Sequence, residues 1–99
     1  MDLKTFRDSL SGAAPPAGLA APLQALWYAA KDDWDGAHGL VQDETSAEAA
    51  WVHAYLHRVE GDLGNARYWY RQARRAPASG DLASEWTAIA AALLESKRR

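Results

Sequence analysis

The sequence predicts an all-α protein of stacked antiparallel helical hairpins, about two repeats, with a C-terminal helix that caps the stack. Two observations support this fold class. Apolar residues recur three and four residues apart along most of the chain, which is the spacing of one helical face. In addition, residues 25–37 nearly repeat in residues 54–66, at an offset of 29 positions. Self-similarity at a period of roughly 20–50 residues is typical of stacked helical hairpins.

The repeat is one of residue class more than of identity. Aromatic residues or leucines are followed by a charged turn, an aspartate, a large apolar residue and a small alanine in both copies. The positions that are identical are the pairs Ala25/Ala54, Asp33/Asp62 and Ala37/Ala66. This pattern indicates architecture and carries no chemistry by itself.

An N-terminal segment, residues 1–18, is expected to precede the helical domain of residues 19–99. Residues 2–10 form the first predicted helix because their large apolar side chains recur on one face. Residues 11–18 contain two prolines and two glycines, which interrupt a continuous helix and predict a linker. The segment is therefore expected to be semi-independent of the domain.

Five further helices are predicted in the domain. Pro22 suits the first turn of one helix, and a shorter helix follows over about residues 35–42. A capping box at residues 45–48 predicts the start of the third helix. The last two are expected over about residues 63–76 and residues 82–95, because proline and glycine separate them.

The second repeat carries small residues at the helix contact, a glycine turn and a terminal proline, at Ala54, Gly61, Asp62, Ala66, Tyr70, Ala73 and Pro77. In these positions residues 48–77 resemble a tetratricopeptide unit, and residues 66–73 are equally similar to Sel1-like repeats. Residues 23–42 resemble the pattern more weakly. Small stand-alone bacterial proteins of this type look similar in residues 34–38 and 51–57. The resemblance implies a right-handed stack of two hairpins in a protein that binds other proteins.

An aromatic stripe is the predicted binding surface. Trp51, Tyr55 and Arg58 recur at four- and three-residue spacing on one face of a predicted helix. The resemblance implies that the first helix of each pair lines a concave groove, so this stripe would hold a protein or peptide, with Trp27 and Tyr28 beside it. Arg58 would pair with a carboxylate of the partner. The alternative is a buried stripe, covered by the N-terminal segment or by a second subunit.

Three histidines form a candidate metal site. His53 and His57 are four residues apart, so they lie on the same face of one predicted helix. His38 lies on the preceding short helix and is expected to point towards them, so the three rings would bind a divalent transition metal such as zinc. Glu60, Asp33 or Asp35 is expected near enough to orient a histidine or to be the fourth ligand. The alternatives are packing histidines bonded to carboxylates or backbone carbonyls, and a catalytic or pH-sensing role. A zinc peptidase is unsupported because Ala54 stands where its motif has glutamate.

The net charge of −2 is unevenly distributed. Residues 1–57 carry eight acids against three bases, and residues 58–99 carry eight bases against five acids. This asymmetry and the surplus of aromatic residues predict a homodimer, the alternative being ordinary solvated helix faces. Arg67, Arg71 and Arg74 form a basic stripe, but the abundant acids and the isoelectric point near 5.8 argue against nucleic acid as a partner.

Several classes of function are not supported by the composition. The chain has no cysteine, which excludes disulfides, thiolate zinc sites and a thiol nucleophile. The longest apolar run, residues 88–94, is too short to cross a membrane, and a cytoplasmic location is expected. No phosphate-binding loop or nucleophile elbow is present, so an enzyme is not expected. The basic residues 97–99 are expected at the C-terminal end of the last helix, where its dipole favours cations.

Overall fold

The computed structural model describes residues 1–96 and confirms the predicted all-α class. A 3-10 turn, Ser9–Ser11, follows the first of six α-helices. The helices are Leu3–Asp8 (α1), Ala21–Ala30 (α2), Trp34–Val41 (α3), Ala47–Glu60 (α4), Leu63–Ala73 (α5) and Leu82–Ser96 (α6). Within these 96 residues no strand forms, and no helix is both long and apolar enough to cross a membrane. The basic residues 97–99, predicted at the end of the last helix, lie outside the described residues.

The repeated aspartates cap equivalent helices. The carboxylate of Asp33 accepts the Gly36 N–H at 3.0 Å and starts α3, and that of Asp62 accepts the Asn65 N–H at 3.2 Å and starts α5. Each carboxylate satisfies a backbone N–H that has no partner inside the helix. Before α5, Gly61 takes a left-handed conformation with φ of +88°, which glycine adopts without steric cost. The repeat in the sequence is therefore a repeat of helix starts.

The repeated alanines are fully buried where the helices of a hairpin meet. Ala25, Ala37 and Ala54 are 0% exposed, and Ala66 is 2% exposed. Helices α2 and α3 form one hairpin and α4 and α5 form the other, and α3 and α2 both pack on α4. Small side chains let the helix axes approach closely, which explains why these positions recur in both copies.

The last helix packs across the first helix of both hairpins. Helix α6 contacts α4, α2 and α1. Its Trp86 stacks on Phe6 of α1, with ring centroids 5.7 Å apart, and donates its indole N–H to the Leu26 carbonyl at 2.8 Å. Residues 1–18, predicted as a semi-independent segment, thus contribute the fully buried Phe6 to the common core. Helix α6 therefore covers part of the faces of α2 and α4 that were expected to line an open groove.

Candidate metal centre

Three histidines converge between α3, α4 and α5. The Nε2 atoms of His38 and His53 lie 3.0 Å apart, and the rings of His53 and His57 stack with centroids 4.8 Å apart. One ring nitrogen from each of the three lies within 4.8 Å of the others. His53 and His57 are 3% and 5% exposed, whereas His38 is half-buried. The structure therefore brings together the three histidines singled out from the sequence.

Two tryptophans hold these rings in place. The ring of Trp34 stacks on His38, with centroids 4.6 Å apart, while its indole N–H donates to the Leu56 carbonyl of α4 at 2.7 Å. The ring of Trp69 stacks on His53, with centroids 4.0 Å apart. The sequence analysis did not identify Trp34 or Trp69 as part of this site. The signal for Trp34 is its position one helical turn before His38, whereas no local spacing connects Trp69 with the histidines.

The surroundings lower the pKa of two of the three histidines. Burial, with repulsion from His38 and His57, lowers the pKa of His53 to about 4. Burial also lowers the pKa of His38, helped by His57 and opposed by the carboxylates of Glu60 and Asp35. A neutral imidazole has a lone pair to offer, and it is the form that binds metal ions.

A carboxylate orients the third histidine. The Nδ1 of His57 lies 2.5 Å from Oε2 of Glu60, one turn further along α4. When Nδ1–H donates to this carboxylate, the lone pair is on Nε2 and is free to bind a metal. The Glu60 side chain is 40% exposed, so it stays solvated while it fixes the ring.

One buried nitrogen in the cluster has no partner. The Nδ1 of His53 is inaccessible to solvent and makes no hydrogen bond with any of residues 1–96. Leaving a buried polar atom unsatisfied costs on the order of 1–3 kcal/mol, so such an atom calls for an explanation. An ion held at Nε2 of His53, the nitrogen that faces His38, would leave this Nδ1 unsatisfied, so the atom does not by itself point to a metal.

The spacing of the ring nitrogens is close to that of a metal site. Two nitrogen ligands about 2.0–2.1 Å from a tetrahedral zinc lie roughly 3.3–3.4 Å apart. The separation of 3.0 Å between His38 and His53 is a few tenths of an ångström below this value. The same separation is that of a hydrogen bond between the two rings, which an ion would replace.

The residues predicted for the aromatic groove are found in different environments. Trp27 and Tyr55 belong to the core, with 1% and 7% exposure. Tyr28, Trp51 and Arg58 are half-buried. The stripe therefore follows the buried alternative at Tyr55, where α6 covers it, and only part of the predicted surface is accessible in the monomer.

The carboxylate partner expected for Arg58 lies in the chain itself. The guanidinium of Arg58 donates to Oε1 of Glu85 at 2.6 Å and to the Gly80 carbonyl at 2.5 Å. The hydroxyl of the buried Tyr70 donates to the other carboxylate oxygen of Glu85. Burial, followed by this hydrogen bond, raises the pKa of Tyr70. This network fixes α6 to α4 and α5, and the sequence reasoning missed Glu85 because a lone glutamate on a helix normally faces water.

Comparison with known proteins adds no relative. No family model, no curated protein and no solved structure matches the chain. The tetratricopeptide and Sel1-like resemblance of residues 48–77 stays a prediction.

Proposed function

We propose that this protein binds a divalent transition metal ion, zinc first, through His38, His53 and His57. The observation that carries the proposal is the convergence of three ring nitrogens within 4.8 Å of one another in a largely buried cluster. Imidazole nitrogen suits zinc, copper, nickel and iron, and zinc accepts the tetrahedral arrangement that three such donors and one further ligand provide.

The electrostatics and the second shell support the same function. The lowered pKa values of His38 and His53 keep both rings neutral at neutral pH, so no proton has to be displaced before the ion binds. Glu60 is in contact with His57, as carboxylates commonly are with metal-bound histidine. An ion bound here would join α3 to α4 and thereby hold one hairpin on the other.

The test is calorimetric titration of the full chain with zinc, after removal of metal by a chelator. One ion per chain is expected, with a rise in stability of about 2.7 kcal/mol when free zinc exceeds the dissociation constant about 100-fold. His38→Phe keeps an aromatic ring against Trp34 but removes one donor nitrogen. Zinc should bind this variant more than about 100-fold more weakly, since even the loss of a second-shell group costs 10- to 100-fold.

Far-ultraviolet circular dichroism of His38→Phe provides the control for folding. A folded variant that binds zinc as tightly as the wild type would show that the cluster is not the site. A wild-type chain that binds no zinc, copper or nickel would leave three packing histidines and remove the proposed function.

A protein-interaction role of the aromatic stripe is a second candidate, and one contact favours it. The guanidinium of Arg75 lies 3.6 Å from the ring centroid of the half-buried Trp51, beside a surface hollow of about 210 Å3 that Ala47 and Leu93 also line. A stacked Arg–Trp pair is a rigid anchor of the kind that dominates protein interfaces. We propose that this interaction takes place in the cytoplasm, as the absence of cysteine suggests. Its test is the binding of peptides to wild type and to Trp51→Ala.

A further inference from the structure

The outer face of α5 is basic and aromatic, and the described part of the chain leaves it uncovered. Helix α5 packs on α4 through Ala66, Tyr70 and Ala73, while α6 crosses the other side of α4. Arg67 and Arg71 on α5 are exposed. In residues 1–96 neither of them forms a salt bridge.

An exposed tyrosine lies beside Arg71 on this face. Tyr68 is 44% exposed, and the guanidinium of Arg71 lies 5.8 Å from its ring centroid. The edge of its ring meets Trp69, with centroids 5.0 Å apart. Tyrosine and arginine are enriched among residues that dominate interfaces, and these contacts restrain the tyrosine before any partner arrives.

An acidic loop borders the same face. A hollow of about 330 Å3 is lined by Asp43 and Glu44 from the α3–α4 loop and by Tyr68 and Gln72 from α5. Both acids are exposed, and neither is paired with another residue in the described range. The arginines of α5 and the two acids of the α3–α4 loop therefore lie on one surface, with the aromatic hollow between them.

We propose that this surface binds a second copy of the chain in a twofold dimer. In a twofold interface every contact between the two copies is made twice. The arginines of each copy would therefore face Asp43 and Glu44 of the other copy. The exposed Tyr68 of each copy would enter the hollow of the other. A nucleic acid fits this surface less well, because the acidic loop would repel phosphates beside the arginines.

The experiment is sedimentation velocity at about 0.1 mM protein, in about 0.05 M and about 0.5 M salt, with zinc and with chelator. A dimer is expected at low salt, and it should dissociate at high salt because the pairs are exposed. Arg67→Glu/Arg71→Glu and Asp43→Lys/Glu44→Lys should each be monomeric under conditions that dimerise the wild type. Mixing the two variants should restore a dimer, since each then supplies the charges that the other has lost.

Lys4→Glu/Arg7→Glu makes the same change of charge on α1, where it also removes the Lys4–Asp8 pair and the Arg7–Thr87 hydrogen bond, and as a control for net charge it should dimerise like the wild type. All substituted side chains are exposed, so the variants are expected to stay folded, which circular dichroism verifies. A wild-type monomer at low salt overturns the proposal. So does a dimer that persists in both charge-reversed variants. Neither outcome affects the proposed metal site, which is measured by zinc binding alone.

Discussion

The two sides of helix α4 differ in how their polar groups are satisfied. On the side facing α6, Arg58 has two partners and Glu85 uses both of its carboxylate oxygens. On the side facing α3 and α5, His53 keeps a buried ring nitrogen with no partner in the described structure. Native folds rarely leave such an atom, so the polar groups of the first side are satisfied within the chain and those of the second are not.

The largest expected loss of stability concerns the side of α4 that α6 covers, where Tyr55 of the aromatic stripe is buried. Tyr55→Ala should lower the free energy of unfolding by about 3–5 kcal/mol, because the ring is 7% exposed and its removal leaves a cavity under α6. Trp51→Ala should cost clearly less, since Trp51 is half-buried. Urea denaturation measures both. Equal losses would show that the two residues are packed alike and that Trp51 is not an accessible surface.

The polar network on the same side can be broken at one end. Arg58→Ala leaves the Glu85 carboxylate buried without its cation, which should cost about 3–5 kcal/mol. Lys4→Ala, which removes the exposed Lys4–Asp8 pair, should cost less than about 1 kcal/mol and is the control. A small loss in Arg58→Ala would indicate that water reaches Glu85 and that this side is less closed than its hydrogen bonds imply.

The two hairpins were largely predictable from the sequence. The identical aspartates and alanines of the repeat follow from local rules, since a cap needs an acceptor and a close helix contact needs a small residue. The position of α6 was not predictable. The apolar face of this helix could pack on α2 and α4 or against the end of the stack, and its sequence does not distinguish the two. Burial of Tyr55 depends on that position, and so does the pairing of Arg58 with Glu85.

The histidine side was predictable to a different extent. The four-residue spacing of His53 and His57 fixes their common face, and the repeat places His38 opposite them. The roles of Trp34 and Trp69 depend on side-chain packing between three helices, which sequence spacing does not encode. Of the three acids expected near the cluster, Glu60 lies one turn after His57 and contacts its ring, whereas Asp33 caps α3.

Acid should affect the histidine side first. The folded-state pKa of His53, about 4, lies below the value of 6.5 for a free histidine, so the unfolded chain binds the proton more readily. The stability contributed by the neutral ring is therefore fully present above pH 6.5 and is lost as the pH falls towards 4. The loss is up to about 3 kcal/mol, and His38 acts in the same direction because its pKa is also lowered.

Urea denaturation of metal-free protein between pH 7 and pH 4 measures this loss. His53→Phe keeps a ring against Trp69 and removes the titrating group, so its stability should change less over the same range. Carboxylates that titrate near pH 4 affect both proteins equally and cancel in the comparison. Parallel pH profiles for the two proteins would mean that His53 is already charged, or reached by water, in the folded state.

The smallest effect concerns the carboxylate that orients His57. Glu60→Gln should weaken zinc binding by 10- to 100-fold while the ion still binds, because an amide holds the ring less firmly and adds no negative charge. Glu48→Gln, an exposed substitution in the first turn of the same helix, is the control and should bind zinc like the wild type. Calorimetric titration compares the three proteins. Unchanged affinity in Glu60→Gln would mean that Glu60 plays no part in the site. Complete loss of binding would instead make Glu60 a ligand, because a group that only orients a ligand modulates affinity without abolishing it.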